Sequence, residues 1–288
     1  MRLRRVSVVL LLAGIGAATA CREPIVPRGP AQLYQLAREQ IRNENYLRAA
    51  DTLARVARES PDSPEAVRAT LTRWAILAGL ARSSLALGRL YREAGERAAA
   101  ESDRGEFGTA ARNHLALAQS WSLALLDAVD EQLPRLAGRT LLLDALLPLQ
   151  PPPEQPVERM LRAGLRVTES DRKVIERDAL RRAFAEVMAA LAGARGDSAR
   201  AETRLSRPQA SVEPVDVFLT FGQEFLHLSA LFAREVLDNP GYFSLFHEKA
   251  LGLAETVLGR AAADSAEAQA AREVRAACQR VLRPAPTS

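Results

Sequence analysis

The feature that most constrains this chain is the spacing of its apolar residues, which recur every three or four positions almost from end to end. That interval matches the turn of an α-helix, and no stretch alternates apolar and polar residues as a half-buried strand would. Composition agrees with the spacing. Ala and Leu dominate, aromatic residues make up 5%, and Gly-rich turns are scarce; Ala and Leu are strong helix formers, so the balance favours helices over sheets. The expected fold is all-α, made of antiparallel helix pairs. With 48% hydrophobic residues among 288, it can bury a substantial core.

The periodicity predicts helices over 31–43, 46–59, 64–101, 106–132, 138–147, 157–168, 171–194, 214–237, 242–260 and 264–282. Asp62-Ser63-Pro64-Glu65 is a strong start: Asp62 or Ser63 can cap free backbone N–H groups, Pro64 suits the first turn, and Glu65 favours the positive end of the helix dipole. Asp264-Ser265-Ala266-Glu267 repeats the pattern before the last helix. Pro148, Pro151, Pro152, Pro153 and Pro156 crowd one short run, which cannot be helical. That run divides a helical region 31–147 from a second, 157–283, ahead of a tail 284–288; it is either a linker between halves or a loop in one array. Ser206 to Pro214 reads as an ordinary connection.

The N-terminus has a different grammar. Met1-Arg2-Leu3-Arg4-Arg5 is a short basic head, Val6 to about Ala18 is apolar, and the small residues Ala18-Thr19-Ala20 lead directly into Cys21. Basic head, apolar middle and small residues at the cut make a secretory signal, residues 1–20, with an apolar run too short to span a bilayer comfortably. At Ala18 to Cys21 the sequence resembles the lipobox of bacterial lipoproteins, although the family usually has Leu where Ala18 stands. The resemblance implies that Cys21 becomes the lipid-bearing mature N-terminus. The alternative is an ordinary A-x-A secretory signal, which leaves Cys21 a free thiol. Residues 21–30 contain three prolines and look like a tether. Elsewhere no stretch is apolar over the roughly 18 residues a spanning helix needs, so the body is expected to be anchored to a membrane without crossing it.

The signal carries Arg2, Arg4 and Arg5 and no acid, so the formal charge falls from +4 for the whole chain to +1 without it. A nearly neutral body argues against nucleic acid as a partner. Lys173 and Lys249 are the only lysines, a bias we read as genomic. The second cysteine, Cys278, has no intramolecular partner if Cys21 is lipidated.

One helix pair has a recognisable pattern. Leu33, Leu36 and Ala37 share a face of the first helix, Tyr46, Ala49, Leu53 and Val56 share a face of the second, and Pro61 closes the unit. The pair resembles a tetratricopeptide repeat, with Gln40 standing where a large apolar residue is expected. Leu87-Gly88-x-x-Tyr91 matches the same first-helix signature, with Phe107, Ala110, His114 and Leu117 as its partner face after extra intervening residues; Tyr242 to Ala268 is a third, weaker fragment. The Tyr46, Ala49, Pro61, Ser63 and Ala66 run is similar to one in the tetratricopeptide lipoproteins of Gram-negative bacteria, among them that of the outer-membrane β-barrel assembly machinery. The resemblance implies an α-solenoid that binds other proteins along a concave groove. The alternative architecture is an irregular helical bundle.

Little in the sequence points to catalysis. Glu224-x-x-His227 has the spacing of a di-metal helical site, but there is no second copy, and His227 lies in an apolar run where a packed histidine is expected. His247-Glu248 begins a zinc-binding H-E-x-x-H, but Leu251 takes the second ligand position. His114 is expected to pack in its helix. Ser170-x-x-Lys173 matches a penicillin-recognising motif without its companion sequences, at a helix start where Ser serves as a cap. Arg172-Lys173 and Arg181-Arg182 alternate with acids and read as solvated faces. Phe218, Phe221, Phe225 and Phe232, with Tyr242, Phe243 and Phe246, read as core or as an apolar ligand pocket. No cofactor or metal is called for. The expectation is a non-enzymatic, membrane-anchored scaffold of the bacterial envelope, facing the periplasm from the outer membrane and binding envelope proteins or peptides. The alternative is a carrier of a lipid or other apolar ligand.

Overall fold

The computed structural model describes residues 29–136, 138–144, 151–206 and 210–282. The signal, Cys21, most of the tether, Pro148 of the 148–156 run and the tail lie outside them. The architecture is all-α. In order come α1 (Pro30–Arg42), α2 (Tyr46–Glu59), α3 (Pro64–Arg97), α4 (Glu101–Gln132), a 3-10 turn at Leu133–Leu136, β1 (Leu142–Leu143), α5 (Pro156–Arg162), α6 (Glu169–Leu191), α7 (Ser198–Leu205), β2 (Ala210–Ser211), α8 (Pro214–Ser229), α9 (Pro240–Leu258) and α10 (Ala266–Leu282).

Proline sets many of these starts: α1, α3, α5, α8 and α9 each open on one. The first turn of a helix has N–H groups with no partner, so the missing proton costs nothing there and the fixed φ helps. Ser63 caps α3 by accepting from the Ala66 N–H at 3.1 Å, and Ser265 does the same for Ala268 at the head of α10.

α3 is the hub. Its 34 residues make a rod about 50 Å long, buried on nearly every side from Ala69 to Leu85, with Trp74, Ala75, Ile76 and Ala78 fully enclosed. A helix apolar all round belongs to the interior. α2 and α4 pack on it as sequence neighbours, α4 along most of its length, while α6 reaches it from far along the chain. That last contact is close because Gly79 lacks a side chain: a Cβ there would lie 3.3 Å from the backbone of Phe184. α8, α9 and α10 form a second group of mutually packed helices that joins α3 through α8. Stacked pairs therefore describe residues 30–132. The return of α6 to α3 belongs to a bundle, because units of a strict solenoid touch only their neighbours. One large core runs through both parts, and a smaller one, with Tyr91, Phe107, Leu161 and Ile175, closes the far end of α3 and α4.

Several boundaries differ from the periodicity, for identifiable reasons. Over the described residues 138–144 the expected helix 138–147 does not form; Leu142 and Leu143 instead pair antiparallel with Ser211 and Ala210. Arg139 pins this segment under the α2–α3 turn, donating to the carbonyls of Pro61, Asp62 and Ser63. α3 and α4 break at Ala98–Ala100, earlier than expected and without Gly or Pro, where Arg104 Nε donates to the Ala98 carbonyl at 2.8 Å. α5 stops at Arg162, well short of 168, because Gly164 turns to φ +79 and lies where a Cβ would come within 2.7 Å of the Arg97–Ala98 peptide. α8 ends at Ser229 and not at 237; a tight turn returns Asn239 N–H to the Phe232 carbonyl, and Asn239 then caps α9. α7 had no counterpart among the expected helices.

Candidate functional site

α3, α6 and α8 meet around a polar cleft of about 430 Å³, lined by Arg82, Glu186, Ala190, Arg195, Gly196, Thr220, Gln223, Glu224 and His227. α3 brings Arg82 there as a charge set in an otherwise buried stretch. Its two terminal nitrogens separate: Nη1 donates to Glu224 Oε1 at 2.8 Å and Nη2 to Glu186 Oε2 at 2.9 Å. One guanidinium thus ties all three helices. Glu224 is 5% exposed and its Oε2 has no hydrogen-bond partner. Burial lifts its carboxyl to about 7, the charge of Glu186 adds to the rise, and Arg82 opposes it.

The other end of the cleft is organised by Arg195, just beyond α6. Its Nε donates to Gln223 at 3.1 Å and its Nη2 to Thr220 at 3.0 Å and to the Asp216 carbonyl, with the Asp216 carboxylate 3.6 Å from Nη1. Burial lowers the Arg195 pKa and raises that of Asp216, each offset by the other's charge.

His227 is one turn from Glu224 and borders the same cleft. Contrary to the expected packed histidine, it is exposed: the apolar run places Phe225 and Leu228 inward and turns His227 outward. Its imidazole is held toward the neutral form, by partial desolvation in the cleft and by the charges of Arg82 and Arg89. The Glu-x-x-His spacing does bring both residues to one place, but Arg82 occupies Glu224. Among the described residues no group of three His, Cys, Asp or Glu is placed to hold a metal ion.

The remaining candidates lie apart from the cleft. His247 is buried, its Nδ1 2.7 Å from the Phe243 carbonyl, and Glu248 is exposed. His114 stacks on Tyr91 with ring centres 5.3 Å apart and approaches Glu176 at 3.5 Å. Ser170 and Lys173 are exposed on the first turns of α6, where the cap is Thr168 and not Ser170; Thr168 and Asp171 bond each other's backbone N–H in a capping box. Arg182, expected on a solvated face, is three-quarters covered and donates to buried Glu158 at 2.6 Å. The phenylalanine group is core: Phe225, Phe232 and Phe246 are fully buried and pack ring to ring, and Phe221 meets Trp74 at 5.1 Å. Phe218, at the edge, lies under the guanidinium of Arg260 at 4.8 Å. Cys278 is fully buried, which pushes its thiol up to about 11. No helix of the described residues is long and apolar enough to cross a membrane.

Sequence reasoning missed Arg82, Glu186, Arg195, Thr220 and Gln223. One signal was there: Arg82 is the first charge after the uninterrupted apolar run Trp74 to Ala81. No protein-family model matches the chain, and neither a curated protein nor a solved structure matches it.

Proposed function

We propose that this chain is a lipid-anchored helical protein of a bacterial envelope, held at the outer membrane facing the periplasm, that binds protein partners without catalysis of its own. The observation that carries the reading is the position of Cys21, directly after Ala18-Thr19-Ala20 and at the head of a proline-bearing tether. A thiol at that place is positioned for acylation, and acyl chains contribute about 0.8 kcal/mol per buried CH₂ to membrane attachment.

The body suits a binding role. α3 and α4 form a long hairpin locked by a large core and by a smaller one at its far end, and a rigid surface loses little freedom when a partner docks. Leu47, Leu117, Met160 and Leu165 are large apolar side chains left 45% exposed or more on that body. The likeness to tetratricopeptide lipoproteins supports the same reading through α1 and α2, where Leu33, Ala37, Tyr46, Ala49, Leu53 and Val56 are all buried between the helices and α3.

Metabolic labelling with a fatty-acid analogue tests the anchor. The wild type is expected to take the label and Cys21→Ser to lose it; equal labelling of the two overturns the lipoprotein reading. Crosslinking of the anchored protein, followed by mass spectrometry, is expected to recover envelope proteins that the Cys21→Ser form does not.

A further inference from the structure

The α3–α6–α8 cleft has two arginines and two glutamates on its walls, and its own side chains leave one carboxylate oxygen without a partner. Arg82 serves two carboxylates, and the second oxygen of Glu224 is buried without a partner. Arg195, the other guanidinium on the cleft, is already engaged by Asp216, Gln223 and Thr220. His227 is held toward its neutral form and adds no positive charge. Buried polar atoms in folded proteins nearly always have a partner, so an orphan on the wall of a cleft marks an unmet interaction.

We propose that this cleft binds the ammonium group of a small organic cation, with the carboxylates of Glu224 and Glu186 as its receptors. An ammonium supplies three donors and a full charge, and hydrogen bonds between ionised groups are roughly twice as strong as neutral ones. The oxygen it would meet, Glu224 Oε2, is the one Arg82 leaves unbonded, so the cation adds to the existing clamp without replacing it. An anionic ligand would instead face both glutamates, with Arg82 and Arg195 already occupied. A volume of about 430 Å³ falls in the range of small-ligand sites, and Ala190 and Gly196 leave a short, side-chain-poor wall for a methylene chain. The site is independent of the anchor and of any protein partner.

Ammonium and proton compete for the same carboxylate. Glu224 faces Arg82 from α3, Glu186 from α6 and His227 on its own helix, and its carboxyl is part protonated near neutrality. Binding therefore releases protons. The test is calorimetric titration of the full-length protein in detergent with putrescine, in two buffers of different ionisation heat, with succinate as an anion of similar length. Putrescine is expected to bind with proton release and succinate to give no heat. Glu224→Gln is expected to weaken putrescine at least about tenfold, a change of 1.4 kcal/mol, and to abolish the proton release. Glu186→Gln, at the exposed side of the site, is expected to weaken binding and keep the release, and it carries the test if Glu224→Gln fails to fold. No binding of putrescine, preference for succinate, or putrescine binding indifferent to both substitutions overturns the proposal.

Discussion

Two buried glutamates in this molecule each meet an arginine under almost the same conditions, and only one of them has that arginine to itself. Glu158 of α5 has a 5% exposed side chain and accepts from Arg182, itself 26% exposed, at 2.6 Å. Glu224 of α8 has a 6% exposed side chain and accepts from Arg82, 25% exposed, at 2.8 Å. Burial is matched; stoichiometry is not. Arg182 answers one carboxylate, whereas Arg82 divides its two nitrogens between Glu224 and Glu186. An arginine fork can neutralise one carboxylate, and a second shares what is left. A third group of charges, at the start of α6, shows the other extreme: Arg166 meets Asp103 at 2.7 Å and Glu106 at 3.4 Å, but its side chain is 60% exposed and solvent does most of the screening.

The comparison can be broken first at the arginines. Arg82→Ala strands two carboxylates, one of them buried, and is expected to cost about 4 kcal/mol; Arg182→Ala strands one and is expected to cost about 3 kcal/mol. Urea unfolding at pH 8 measures both, and equal losses would remove the weight placed on the shared arginine. The next effect is a pH profile. The folded pKa of Glu224, about 7, lies above its ordinary value of 4.5, so its protonated form favours folding. Its contribution is complete below about pH 4.5 and is lost as the pH rises through about 7. Glu224→Gln should therefore flatten the fall in stability across that window and be the more stable form at pH 8; a fall of the same size in both proteins would contradict the assignment. The smallest effect belongs to the exposed group. Arg166→Ala is expected to cost less than about 1 kcal/mol, a loss that shrinks further in high salt when melting curves are compared.

What the sequence made legible follows from how local each cause is. The Pro64 start, the Ser63 and Ser265 caps, and the inward faces of α1 and α2 depend on residues within a turn or two of one another, and they lie where the spacing places them. The misplaced boundaries depend on remote contacts. Gly164 ends α5 against the Arg97–Ala98 peptide, Leu142 and Leu143 pair with a segment far along the chain, and Arg139 reaches back to the α2–α3 turn. The cleft was half legible. Glu224 and His227 are one helical turn apart and were visible as a pair, but the groups that give Glu224 its character come from α3 and α6, and no spacing rule connects Arg82 with residues 104 and 142 positions away. His227 was misjudged for a related reason: an apolar run implies an inside, and only the packing of α8 decides which residue of that run faces out.

The central position of α3 also sets a clock. A chain made from its N-terminus completes α3 long before the surfaces that cover it exist, since Arg82 precedes Glu224 by 142 residues. At a synthesis rate of about 5–20 residues per second, that gap is about 7–28 s, during which Trp74 and its neighbours have only the nearest helices for shelter. Whether the chain folds as it is made or after export, α3 cannot be fully enclosed until α6 and α8 are present.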